Sequence, residues 1–171
     1  MKYDVIVIGG GPAGIVSAVT IRKYYSDKKI LLIKSVGTGV IPCGIPYMFR
    51  TLKKPEDNTL GNVPLEKNNT DIKVDKVVVI DRQAKQISTK NNKKYSYEKL
   101  ILATGSNPIM PPIKGKEKKG IYIIKKEMNY LESLKQDINN AKNIVIVGGG
   151  FIGVEFADEL SNLKDVNISI I

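Results

Sequence analysis

Two apolar runs, each ending in a cluster of glycines and followed by a helical pattern, dominate the hydrophobic profile of this chain. The first is Val5-Ile6-Val7-Ile8 and the second Ile144-Val145-Ile146-Val147. Continuous β-branched runs of this length suit strands buried on both faces of a parallel sheet. After the first run, Pro12 falls just inside a helix, where its missing N–H costs nothing, and the helix is predicted to reach about Tyr25. Lys29 to Lys34 reads as the next buried strand around Ile30-Leu31-Leu32-Ile33. A Gly/Pro-rich loop leads through Cys43-Gly44-Ile45-Pro46-Tyr47 to a short helix starting near Pro46, and residues 53–70 read as loop with a little helix. Three strand-like pieces follow at about Lys76–Asp81, Gln86–Thr89 and Lys94–Tyr97, separated by turn residues, and predict an antiparallel meander laid on the main sheet. Lys99 to Ala103 is a further buried strand, and Pro108, Pro111 and Pro112 mark a linker. Tyr130, Leu131, Leu134 and Ile138 share one face of a helix over about Lys126–Asn140. The second apolar run then opens a βαβ unit with a helix over 151–163 and a strand from Val166 to Ile171.

The glycines fix what the two units are for. Gly9-x-Gly11-x-x-Gly14 and Gly148-x-Gly150-x-x-Gly153 each lie between a strand and a helix, the context that makes G-x-G-x-x-G a dinucleotide-binding fingerprint. The first glycine allows the sharp turn, the second lets main chain approach a pyrophosphate, and the third lets helix and strand pack closely. The helix then presents unpaired N–H groups and its positive end to the phosphates. Two copies predict two dinucleotides and electron transfer between them. The fold class is therefore α/β: a Rossmann-like domain over residues 1–110, with parallel sheet and antiparallel meander, and the start of a second Rossmann-like domain over 111–171.

Composition narrows the chemistry. The chain has 171 residues, 42% of them hydrophobic, and a formal charge of +10 carried almost wholly by lysine. Its lysine stretches are interrupted by acids and glycines and build no basic face interleaved with aromatics, which argues against nucleic-acid binding and for a solvated surface. No run approaches the roughly 20 apolar residues of a membrane span, and the N-terminus has no signal layout, so a cytoplasmic protein is expected. With no histidine there is no histidine base or histidine metal site, and no metal is expected. The single cysteine, Cys43, excludes an internal disulfide. A βαβ unit needs roughly 30 residues or more and a nucleotide-binding half needs further strands, so a chain stopping in an apolar strand is expected to be the N-terminal fragment of a larger enzyme.

In order, four motifs resemble the pyridine nucleotide-disulfide oxidoreductase flavoproteins, and most closely their single-cysteine branch of coenzyme A disulfide reductases, NADH oxidases and NADH peroxidases. They are the first fingerprint; Cys43-Gly44-Ile45-Pro46-Tyr47; Tyr97-Glu98-Lys99-Leu100-Ile101-Leu102-Ala103-Thr104-Gly105; and the second fingerprint with Glu155-Phe156-Ala157. The resemblance spans the whole chain but only about the first third to half of such an enzyme. It implies FAD at Gly9, Gly11, Pro12, Ala13, Gly14, Ala103, Thr104 and Gly105, with Lys34 a further cofactor candidate at the place of the ribose-binding acid. It implies NAD(P)H at Gly148, Gly150, Phe151, Ile152, Gly153 and Glu155. Cys43 becomes the redox centre, accepting electrons from the flavin and passing them to a disulfide such as coenzyme A disulfide, to a peroxide or to oxygen. A free cysteine is otherwise often a small buried hydrophobe; here its Gly/Pro loop before a helix start is a setting that favours the thiolate. Arg22 and Lys23 match basic positions that contact coenzyme A phosphates, Tyr47 is a further substrate candidate, and the full-length enzyme is expected to be a homodimer.

Two positions depart from the pattern. The second strand of a dinucleotide unit ordinarily ends in an acid that grips the ribose hydroxyls. Here it ends in Lys34, which cannot accept those hydrogen bonds. Either main chain or another group replaces the acid, or FAD binds more weakly, or Lys34 itself approaches the adenosine or a phosphate-bearing ligand. Beside the cysteine, Val40-Ile41-Pro42 stands where coenzyme A disulfide reductases carry polar residues, so the acceptor stays open. An NADH:acceptor dehydrogenase with an incidental cysteine, and a nucleotide-binding fragment without turnover, are the competing readings. NADH and NADPH are not distinguished, because the residue that separates them would follow Ile171.

Overall fold

The computed structural model describes every residue from Met1 to Ile171. The chain gathers into two compact units, Met1–Gly39 with Leu60–Ser106, and Val40–Thr59 with Asn107–Ile171. The units are interleaved along the chain.

The first unit is built on a six-stranded sheet. Its strands are β1 (Lys2–Ile8), β2 (Ile30–Lys34), β3 (Asp71–Val74), β4 (Val77–Asp81), β5 (Gln86–Thr89) and β6 (Lys94–Leu102), in the spatial order β3-β2-β1-β6-β5-β4. β1 runs parallel to β2, with Ile6 opposite Leu31, and parallel to β6, with Ile6 opposite Leu100. Side chains alternate across a strand, so Val5, Val7, Ile30 and Leu32 pack on one face with Ile15 and Ala18 of helix α1 (Pro12–Tyr24). Ile6, Ile8, Leu31 and Ile33 fill the other face with Ile87, Tyr95 and Tyr97. Burial on both faces is why these runs carry no polar alternation; each such side chain contributes about 1.5–3 kcal/mol.

Three details differ from the sequence expectation. The pieces at 94–97 and 99–103 are one strand, β6, whose start pairs antiparallel with β5 (Ile87 opposite Tyr95) while its later part pairs parallel with β1. The meander therefore extends the main sheet instead of lying on it. β3 is an unforeseen edge strand, parallel to β2 with Leu32 opposite Ile72; it is four residues long and its exposed Asp71 and Lys73 hide the pattern. A four-residue helix, α2 (Val63–Glu66), precedes it.

The second unit holds helix α3 (Met128–Asn139), strand β7 (Asn143–Ile146), helix α4 (Phe151–Ser161) and strand β8 (Asn167–Ile170). β7 and β8 are parallel, with Ile144 opposite Ile168. Leu131, Leu134 and Ile138 form the buried stripe of α3 and meet Phe156 and Leu160 of α4. The third layer of this core comes from Val40, Ile45, Met48 and Phe49; Phe49 and Phe156 lie 5.0 Å apart, ring centre to ring centre. That apolar demand draws segment 40–59 to the later half of the chain.

Candidate functional site

Both fingerprints fold as strand, glycine turn and helix. Gly9 has φ +121° and Gly148 φ +111°, a region L-residues rarely enter. A Cβ on Gly9 would also lie 2.0 Å from the Ala103 carbonyl oxygen. The third glycines serve close packing: a Cβ on Gly14 would stand 2.0 Å from Gly9 O, and one on Gly153 2.0 Å from Gly148 O. Neither helix has a side-chain N-cap, their N-caps being Gly11 and Gly150, and neither has an acid in its first turn. The first N–H groups of each helix are thus left for an outside acceptor. A Cβ at Gly11 or Gly150 meets nothing within 4 Å. Uncapped N–H groups, a positive helix end and open space over the middle glycine fit the pyrophosphate of a dinucleotide.

The structure also joins the first and third motifs. Gly9 and Gly14 both approach Ala103, and Ala103 N–H donates to Ile8 O at 2.8 Å. The Ala103-Thr104-Gly105 turn, with Gly105 at φ +71°, therefore stands at the carboxyl ends of β1 and β6, where open α/β sheets bind ligands. Other predicted residues are placed differently. The Lys34 ammonium donates to the Gly37 carbonyl and to Asn62 Oδ1. Burial draws its pKa below the ordinary lysine range, against the opposing pull of the Glu66 carboxylate. The Arg22 guanidinium is committed to main-chain carbonyls of Ser26 at 2.6 Å and of Asn68 and Asn69 at 3.0 Å; it braces the end of α1 against the turn that follows it and against the turn after α2. Lys23 lies over the Tyr24 ring at 5.7 Å.

In the second unit Cys43 is exposed and sits in a three-residue 3-10 turn, Pro42–Gly44, followed by another at Pro46–Phe49. The short helix expected from about Pro46 is thus a four-residue 3-10 helix. Pro46 removes a donor, and so short a 3-10 turn supplies little of the dipole that a full helix offers a thiolate. What the cysteine has instead is a cavity of about 310 Å3 lined by Ile45, Ile124, Lys126, Ile152, Glu155 and Phe156 together with the cysteine loop. Ile152 and Glu155 belong to the helix that opens from the second fingerprint. Tyr47 is partly exposed and does not line that cavity.

Residues that carry no motif hold this loop. Asn58, 2% exposed, donates its Nδ2 to Ile41 O at 3.0 Å and accepts the Ile41 N–H at its own carbonyl at 3.1 Å. Gly44 is required beside it, since a Cβ there would fall 1.9 Å from Asn58 Oδ1. Glu159, buried on α4, accepts from Thr51 N–H at 3.0 Å and Thr51 Oγ1 at 2.7 Å, and Lys135 Nζ donates to Met48 O at 2.6 Å. No motif in the sequence signalled this bracing. No helix is long and apolar enough to cross a membrane, and no cluster of metal-ligating side chains is present.

Two strand–glycine turn–helix units of the dinucleotide-binding type mark an α/β fold of the Rossmann-like class. Residues 3–171 match the pyridine nucleotide-disulphide oxidoreductase family, and the chain belongs to it. It is 33% identical over 168 residues to an NADH oxidase of Methanocaldococcus jannaschii, covering 89% of this chain and 36% of that protein. It is 28% identical to the NAD(P)H coenzyme A polysulfide/persulfide reductase of Pyrococcus horikoshii, covering 92% and 37%. Among solved structures it resembles the reduced Bacillus anthracis CoADR-RHD protein at TM-score 0.83 and 25% identity, over 99% of this chain and 32% of that one. The chain thus spans little more than a third of the curated relatives' length.

Proposed function

We propose that this chain carries the nucleotide sites and the redox thiol of an FAD-dependent NAD(P)H oxidoreductase. Electrons pass from NAD(P)H through FAD to Cys43 and on to a disulfide, a peroxide or oxygen. The observation that carries the reading is the cavity that Cys43 lines together with Ile152 and Glu155 of the second fingerprint's helix. The names of the relatives, oxidase and polysulfide/persulfide reductase, are in keeping with those acceptors.

In this reading residues 1–110 serve FAD, through the N-terminus of α1 and the Ala103–Gly105 turn, and residues 111–171 open the NAD(P)H site at the N-terminus of α4. Bound FAD supplies two-electron exchange between a hydride donor and a sulfur centre. Gly11, Ala13 and Gly14 hold a pyrophosphate with main-chain N–H groups, which need no reorganisation as charge moves. Ile45, Ile124 and Phe156 give the cavity beside the exposed thiol apolar walls. With a disulfide acceptor, the Cys43 thiolate attacks one sulfur, the acceptor S–S bond breaks, a mixed disulfide forms and one thiolate leaves. With a peroxide, the thiolate attacks the O–O bond, giving a cysteine sulfenic acid and water or an alcohol.

The test uses the purified chain, and Cys43→Ser in the full-length enzyme. The chain is expected to bind FAD and show a flavin spectrum. In the full-length enzyme, of which this chain alone is expected to be an inactive fragment, Cys43→Ser is expected to lose NADH-driven reduction of disulfide and peroxide. Undiminished reduction of every acceptor by Cys43→Ser would make the cysteine incidental and leave a plain NADH:acceptor dehydrogenase.

A further inference from the structure

Lys34 ends the strand that ordinarily closes with the ribose-gripping acid, and the structure gives it an unexpected setting. It is 5% exposed. Its stem crosses Gly10 so closely that a Cβ there would lie 2.7 Å from Lys34 Cβ and Cδ. Its ammonium donates to Gly37 O, in the loop after β2, and to Asn62 Oδ1, at the residue before α2. A buried ammonium is costly unless its protons find acceptors. Here the acceptors come from two separate loops, so satisfying the ammonium fastens one loop to the other. An ammonium spent on protein acceptors inside the structure is poorly placed to meet a phosphate outside it.

We propose that Lys34 is a positioning residue for the adenosine end of the first dinucleotide site. It holds loop 35–38 against Asn62, so that hydroxyls and carbonyls of the loop, in place of a carboxylate, accept hydrogen bonds from the ribose hydroxyls. Ser35 and Thr38, both exposed, bring side-chain acceptors to that loop. The same arrangement accounts for Gly10: the position between the first two fingerprint glycines must stay bare for the lysine stem to pass. This inference rests on the first fingerprint being the FAD site.

The probes are ADP and 2′-deoxy-ADP, titrated calorimetrically into the whole chain. The unsubstituted protein is expected to favour ADP by roughly fivefold to tenfold, the contribution of about one hydrogen bond to a ribose hydroxyl. Lys34→Met keeps the stem over Gly10 and removes the ammonium; Asn62→Ala removes one acceptor from outside the strand. Both are expected to bring the ADP preference close to one, while melting temperatures without ligand register any general loosening. Lys34→Glu is expected to lose the preference as well, because its carboxylate would face two acceptors. A Lys34→Glu protein with a stronger ADP preference would show that the lysine merely stands where an acid belongs, and would overturn the inference. So would an unchanged preference in both Lys34→Met and Asn62→Ala. FAD binding with no ADP preference in the unsubstituted protein also overturns the inference but leaves the FAD site standing. Failure to bind either ADP or FAD overturns the site and the inference together.

Discussion

Gly44→Ala puts one methyl group beside Cys43, and the structure says what it meets. The new Cβ would stand 1.9 Å from Asn58 Oδ1 and 2.7 Å from Asn58 Cγ, far inside van der Waals contact. Asn58 is 2% exposed, so its side chain has no room to swing away without giving up the 3.0 Å bond to Ile41 O. Overpacking costs about 1–3 kcal/mol and the lost bond adds about 1 kcal/mol, for a total of roughly 2–4 kcal/mol. With a urea slope of about 2 kcal/mol/M, the unfolding midpoint followed by circular dichroism should fall by about 1–2 M. The decisive control is Asn58→Ala, which removes the obstructing carboxamide. The double variant Gly44→Ala/Asn58→Ala is expected to be less destabilised than the sum of the two single changes by more than about 1 kcal/mol, a coupling typical of residues in contact. Because Cys43 is the only thiol, its alkylation rate reads the same loop locally and should rise in Gly44→Ala. A Gly44→Ala protein within about 0.5 kcal/mol of the parent, or strict additivity in the double variant, would refute the reasoning.

Glu159→Ala leaves the Thr51 N–H and hydroxyl without their acceptors; a cost of about 2–4 kcal/mol is expected in urea unfolding, against about half that for Glu159→Gln, which keeps one acceptor. Gly9→Ala combines a forbidden φ of +121° with a Cβ 2.0 Å from main chain; soluble yield and flavin retention should collapse, and normal flavin content would contradict the turn geometry. The Tyr3 hydroxyl donates to Asp71 at 2.9 Å, and burial, then that carboxylate, push its pKa from 10.0 up to about 12. The folded state holds this proton longer than the unfolded chain. Its stabilising share is thus whole below pH 10 and is lost as pH rises toward 12. Tyr3→Phe should remove that part of the alkaline decline, seen as a smaller drop in urea midpoint between about pH 9 and about pH 12.

Much of the first unit was legible because its signals are local. The runs at 5–8 and 30–33 declare buried parallel strands, and the glycine spacing declares the turn that follows. α3, expected over 126–140 and observed over Met128–Asn139, was legible from a single apolar stripe. The rest depended on partners distant in sequence. β3 is a strand only because β2 offers it an edge. The end point of the Lys34 ammonium depends on Gly37 and Asn62, which no pattern at position 34 reveals. Asn58 and Glu159 have no motif of their own; they matter because the fold brings Ile41 and Thr51 to them. The cysteine loop illustrates both cases. Its C-G-I-P-Y motif and the short helix from Pro46 were readable, but the 3-10 geometry of its two turns follows from prolines and packing that periodicity does not report.

The drawing of segment 40–59 to the later half has a consequence for how the protein is made. Phe49 waits for Phe156, about a hundred residues further along the ribosome's product. At about 5–20 residues per second, the nascent loop spends on the order of 5–20 s without its core partners. Throughout that interval the sole thiol of the chain is tethered to an unpacked apolar segment, open to oxidation or capture by other thiols. Cys43 stays exposed in the finished fold, so what synthesis leaves open for longest is the apolar side of this segment, Ile45, Met48 and Phe49, and heat during translation should lower the soluble yield more than the same heat applied to the folded protein.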